Sequence, residues 1–109
     1  MATIYKVLGQ QEPAITTETT LYTVPAATQA VCSTFSVCNR TAEAATFRVR
    51  IKINNAADAD AQFVCYDAPI AAYDTLLLTF GATLSAGDVV RVYSSNADTA
   101  FQLFGSEIS

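Results

Sequence analysis

The residues that could do chemistry are few and scattered. The sequence of 109 residues contains no histidine, so the commonest general base is absent. A serine or cysteine nucleophile would have to be activated by Lys or a carboxylate, and the sequence pairs no such groups. The four glycines stand alone at 9, 81, 87 and 105, so there is neither a GxGxxG motif nor a phosphate-binding loop. The three cysteines, Cys32, Cys38 and Cys65, include no close pair, which with no histidine leaves too few ligands for zinc. Cys32 and Cys38 are six residues apart, about 20 Å along an extended strand, too far to bond each other within one strand. They are read as reduced, small, buried hydrophobes.

Two charged groupings remain. Asp58-Ala59-Asp60 puts two carboxylates close together on a polar stretch, where both could reach one Ca²⁺. Without the glycine and distal Glu of an EF-hand, the motif reads as a solvated loop. Arg48, Arg50 and Lys52 alternate along one segment and make up half of the six basic residues. They are expected on the outer face of a strand, either solvated and paired with carboxylates across a sheet or docking onto an acidic neighbour. Asp67 and Asp74 flank Ala68-Pro69-Ile70-Ala71-Ala72-Tyr73, a turn whose backbone groups they are expected to cap. Asn39-Arg40-Thr41 matches a glycosylation sequon but reads as a turn. Tyrosines 5, 22, 66, 73 and 93 are expected at the core and its rim. No catalytic, cofactor-binding or metal-ligating residue is assigned, and the chain is not expected to be an enzyme.

The elements that would position these residues follow a period of two. Phe47, Val49, Ile51 and Ile53 alternate with Arg48, Arg50 and Lys52, the pattern of a half-buried antiparallel strand. Val31, Phe35 and Val37 are expected on one face of a second strand, with Cys32, Thr34, Ser36 and Cys38 on the other. Residues 75–80 should bury Leu76, Leu78 and Phe80. Residues 88–95 and 100–104 make two more strands, and 4–8, 20–24 and 62–66 are shorter candidates. Turn residues separate them at roughly ten-residue spacing, and only 54–61 has room for a helical turn. The fold class expected is all-β, a single antiparallel β-sandwich of jelly-roll or Ig-like type spanning 1–109, with about eight strands. Residues 1–19 end in a polar, Thr-rich stretch with Pro13 and are read as an extended N-terminal arm. Within it Thr3, Ile4, Tyr5, Lys6, Val7 and Leu8 would reach a neighbouring subunit.

Composition narrows the function classes. Net charge is −4 with only six basic residues, against nucleic acid as main partner. No apolar run approaches the ~20 residues of a membrane-spanning helix, and the first residues lack a signal peptide's apolar core, so no membrane partner and folding in a cytoplasm are expected. Charged residues are 15% of the chain, below the usual quarter or so. Part of the surface is therefore expected to face another subunit.

Several phrases recur together: Leu8-Gly9-Gln10; Thr20-Leu21-Tyr22-Thr23-Val24-Pro25-Ala26; Ser33-Thr34-Phe35-Ser36-Val37-Cys38-Asn39-Arg40; Thr46-Phe47-Arg48-Val49; Ile70-Ala71-Ala72-Tyr73-Asp74-Thr75; Leu84-Ser85-Ala86-Gly87-Asp88-Val89-Val90-Arg91-Val92-Tyr93; and Phe104-Gly105-Ser106-Glu107-Ile108. With them the chain resembles a family of small virion-associated proteins of tailed bacteriophages of the cyanophage and marine-phage type. The resemblance covers nearly the whole chain. It implies a β-sandwich exposed on the virion, either a capsid decoration (cement) protein or a tail, baseplate or fibre component with host-surface glycan binding. The expected partners are the major capsid protein or other virion subunits, in a homo-oligomer for which a trimer suits local three-fold junctions. The resemblance brings no catalytic residues and no cofactor. Ala26-Ala27 stands where the family pattern would have Ala-Gly, and is read as a turn without a left-handed residue.

Overall fold

The computed structural model describes residues 2–109. Met1, the first residue of the arm expected over 1–19, lies outside them. Eight strands account for most of the chain: β1 (Thr3–Gln11), β2 (Thr19–Thr23), β3 (Gln29–Asn39), β4 (Ala45–Lys52), β5 (Phe63–Ile70), β6 (Thr75–Leu84), β7 (Val89–Ser94) and β8 (Thr99–Ile108). They form two four-stranded antiparallel sheets, ordered β1-β8-β3-β6 and β2-β7-β4-β5. Consecutive strands alternate between the sheets except at β4 to β5, which are antiparallel neighbours in the same sheet. This is the order of a jelly roll, which decides between the two sandwich types expected. Short 3-10 turns at Ile53–Asn55 and Asp60–Gln62 fill the stretch where a helical turn was expected.

The core is the set of inward-facing residues of both sheets. Phe35 and Phe101 from one sheet meet Phe47 from the other, with ring centroids 5.8 and 6.2 Å apart. Val37, Val49, Val90, Val92 and Leu103 complete the layer, all fully buried. Burying side chains of this size stabilises by roughly 1.5–3 kcal/mol each, which is what allows a chain this short to fold.

The N-terminal segment does not extend away from the body. β1 pairs along β8 from Thr3↔Ile108 to Gln11↔Phe101, and Leu8 is buried in the core. Ala2 and Ser109 close the ladder with two backbone hydrogen bonds of 2.7 and 2.9 Å. The reason is ordinary: backbone N–H and C=O groups that find partners in β8 lose less than groups left unpaired, and the pairing carries Leu8 into the core.

Three local expectations are corrected. First, a bulge between Cys32 and Thr34 inserts one residue into β3. It inverts the alternation, so Ala30 and Cys32 are buried and Val31 is exposed, the reverse of the simple pattern. Gly105 on β8 lies opposite; a Cβ there would stand 2.0 Å from the Val31 carbonyl oxygen, so only glycine fits. Second, β4 ends at Lys52, and Ile53, expected inside, is 73% exposed. Third, Ala27 does adopt a left-handed conformation, φ 56°, although it is not glycine. In addition, β5 runs through Pro69, which the sequence placed in a turn. Pro69 is accommodated because β5 is an edge strand.

Candidate interaction surface

The alternation of β4 projects Arg48, Arg50 and Lys52 outward from the second sheet, and cross-strand pairing adds Arg91 of β7, directly opposite Arg50. Four cations on one face require counter-charges, and three carboxylates from elsewhere in the chain supply them. Asp67 on β5 takes Arg48 through both oxygens, at 2.6 Å from Nε and 3.2 Å from a terminal nitrogen. The Arg48 guanidinium is also sandwiched between Tyr66 and Tyr93, 4.3 and 4.5 Å from the ring centroids. Asp58 bridges Arg50 (3.2 Å) and Lys52 (2.9 Å). Glu18 lies 2.8 Å from Arg91 Nε and 3.4 Å from Arg50. Arg50 is packed under Phe63, 4.2 Å from its ring centre, and its Nε makes no hydrogen bond.

The basic trio is thus not an open cationic face. The side chains of Arg50 and Lys52 are only 9% and 11% exposed, and Arg48 is the most accessible at 27%. The hydrogen bond from Arg48 holds the Asp67 carboxyl below its ordinary range, and Asp67 in turn raises the Arg48 guanidinium. The Lys52 ammonium does the same to Asp58, helped by Arg50 and Arg91. Asp67 therefore pairs with an arginine and does not cap its turn, whereas Asp74 does cap, accepting from Thr75 N–H at 2.9 Å. Asp58, read from the sequence as part of a solvated loop, is committed to the Arg50 and Lys52 cations. Among the described residues no group of three or more His, Cys, Asp or Glu side chains could hold a metal ion.

The sequon residue Asn39 is buried, 1% exposed. Its amide donates to the carbonyls of Glu43 (2.8 Å) and Ala71 (3.2 Å), and its oxygen accepts from Thr41 N–H (3.1 Å). It is a clasp between loops and offers no nitrogen to a glycosylating enzyme. The tyrosines divide: Tyr22 is core, Tyr93 partly buried, and Tyr5, Tyr66 and Tyr73 are 84%, 60% and 71% exposed. A shallow cavity of about 310 Å³ is lined by Tyr66, Phe63 and Asp60.

The other sheet presents a different surface. Thr3, Ile4, Tyr5, Lys6 and Val7 are all exposed, unlike Leu8, so the first half of β1 is an edge strand bare on both faces. Tyr5 and Val7 share the outer face with Val31 and Phe104, and Tyr5, Val31 and Phe104 line a cleft of about 440 Å³. On the opposite face Lys6 pairs with Glu107 at 2.9 Å, and Tyr22 Oη donates to the same carboxylate at 2.5 Å. Those two hydrogen bonds hold Glu107 below its ordinary range, while burial and the adjacent carboxylate keep Tyr22 protonated well above its own. The exposure of β1 was legible only as an apolar segment at the N-terminus. The ion-pair partners of β4 were not, because they come from positions 18, 58 and 67.

No protein-family model and no curated protein matches the sequence. Among solved structures, two crystal structures of a pentameric capsid protein isolated from metagenomic phage sequences align with 96% of this chain at 18% identity, with TM-scores of 0.40 and 0.39. The chain spans 59% and 60% of the length of those chains.

Proposed function

We propose that this chain is a non-enzymatic structural protein of a tailed-phage particle, acting as a capsid decoration protein that stabilises the shell through contacts between subunits. The observation that carries the reading is the bare first half of β1, where Ile4, Tyr5 and Val7 are 54%, 84% and 47% exposed on the edge of a sheet. Apolar side chains on an unprotected edge invite a partner strand, and soluble monomers normally blunt such edges. The ionised side chains of the opposite sheet are, by contrast, mostly engaged within the chain. The jelly roll is an architecture found in viral capsid domains, though also in lectins and cupins, so it favours this reading by analogy only.

In this reading Thr3, Ile4, Tyr5, Lys6 and Val7 meet the neighbouring subunit from within the sheet, not as a detached arm. Arg48 is the member of the basic trio placed to touch an acidic neighbour, while Arg50 and Lys52 work inside the chain. A trimer on the capsid surface, contacting the major capsid protein, is the arrangement proposed. A second reading, a tail or fibre module that binds host glycans, is favoured by the Tyr66, Phe63 and Asp60 cavity, where a sugar ring could stack beside a carboxylate.

Copy number separates the two. Densitometry of purified particles should show this protein near parity with the capsid protein, at hundreds of copies. A band of a few to some tens of copies would overturn the decoration role and favour the tail.

A further inference from the structure

We infer that copies of this chain join edge to edge, β1 of one pairing antiparallel with β6 of the next, with Tyr5 opposite Leu77. The inference rests on the structural reading above and adds the contact through which such a subunit would assemble.

The four sheet edges are unequal. In the second sheet both edges carry protection. β2 has only five residues and a register shift, and β5 has Pro69, a left-handed Asp67 (φ 49°) and two shifts. The first sheet has no such devices along residues 3–7 of β1 or 75–79 of β6, whose registers are unbroken. β6 carries no charged side chain over ten residues, and the one charge of β1, Lys6, is neutralised by Glu107. The core-facing residues of β6, Leu76, Leu78 and Phe80, also stay partly exposed, as though the sheet stopped one strand short.

Hydrogen-bond parity shows which groups point outward. Ala2 and Ser109 exchange both backbone hydrogen bonds, so by alternation Ile4 and Lys6 bond to β8, while Thr3, Tyr5 and Val7 turn their N–H and C=O away from it. Asn39 N–H donates to the Asp74 carbonyl at 3.0 Å, so along β6 it is Leu76 and Leu78 that bond to β3, while Leu77 and Thr79 point outward. With four antiparallel strands in the sheet, its two edges run in opposite directions. A second copy set beside the first in the same orientation therefore meets it antiparallel, the better-bonded arrangement.

The side chains agree with that register. With Tyr5 across from Leu77, Thr3 falls across from Thr79 on the same outer face. The two side chains brought together are 84% and 69% exposed in the single chain. On the inner face Ile4 comes to lie over Leu78, whose burial is incomplete. A self-pairing of β1 about a two-fold axis would leave β6 bare. The β1–β6 contact uses both edges, and being head-to-tail it closes into a ring or continues as a chain of copies.

The test uses the full chain with Cys38→Ser and Cys65→Ser, leaving Cys32 buried. Tyr5→Cys and Leu77→Cys proteins, mixed and mildly oxidised, should cross-link to each other, since Cα atoms in such a pair are about 5.5 Å apart, within disulfide range. Native mass spectrometry of the unaltered chain should show multiples of the single-chain mass. Leu77→Pro, which takes no hydrogen bond from the β3–β6 ladder, should return it to one chain with little change in Tm. A single-chain mass throughout the micromolar range, Tyr5→Cys cross-linking only to itself, or a Leu77→Pro protein of unchanged oligomeric mass would overturn the inference. Particles that carry the protein at capsid-like copy number but give no Tyr5–Leu77 coupling would overturn this contact alone and leave the decoration role standing.

Discussion

Arg50 and Arg91 face each other directly across β4 and β7, two like charges in register, with Glu18 bridging them at 3.4 and 2.8 Å. Like charges directly opposite in a sheet are destabilising unless something neutralises them.

Glu18→Gln should therefore lower stability by about 2 kcal/mol, because it leaves a nearly buried guanidinium with a neutral neighbour beside a second cation. Chemical denaturation of the variant would read this as a lower midpoint at unchanged slope. A loss no larger than that of a surface Glu→Gln control would show that Asp58 alone balances the face.

Acid should find the same network. Asp58, Asp67 and Glu107 are all held below their ordinary values of 3.8, 3.8 and 4.5, so in the native state they stay ionised after the unfolded chain has begun to take up protons. The stability they contribute is fully present above about pH 5 and is lost as pH falls through 4 and below. Tm should be flat from pH 7 to about 5 and then drop, and Asp67→Asn should make the drop shallower. At the other end, burial pushes the fully enclosed Cys32 thiol from 9.0 up to about 11. Unfolding releases that proton more readily above pH 9, so stability falls again there, and Cys32 should react with a thiol reagent more slowly than Cys38 or Cys65.

Ala27 carries a left-handed backbone, φ 56°, at a cost of roughly 1–2 kcal/mol for a residue with a Cβ. Replacing it by glycine relieves that cost, while greater freedom in the unfolded chain takes back roughly half to one kcal/mol. Ala27→Gly should stabilise by about 0.5–1 kcal/mol, raising Tm by a few degrees in calorimetry. A lower Tm would mean that neighbouring contacts set this conformation without strain.

The alternation of β4 was legible because a period of two survives translation into structure unaltered: Phe47 and Val49 are buried where the pattern put them. β3 was misread at Val31 because one inserted residue reverses every position on one side of it. The trace that could have exposed the bulge, Gly105, lies on another strand more than seventy residues away. β1 was taken for an arm since the strand it pairs with, from Phe101 to Ile108, stands at the far end of the chain. Arg50 and Lys52 read as solvated because a strand pattern shows which side faces the core, not what loops fold over the other side. Asp58 was in view as half of a calcium pair, yet its use is to close that loop over two cations.

The unequal treatment of the two sheets separates two burdens that many small proteins must carry on the same residues. β2-β7-β4-β5 holds the ion-pair ladder and the guarded rims, so its internal pairs, Arg50 and Lys52 with Asp58 and Glu18, can be redesigned for heat or salt tolerance without touching the bare rims of the other sheet. β1-β8-β3-β6 keeps its rims bare, so one substitution at Tyr5 or Leu77 can alter sociability while leaving melting behaviour almost untouched.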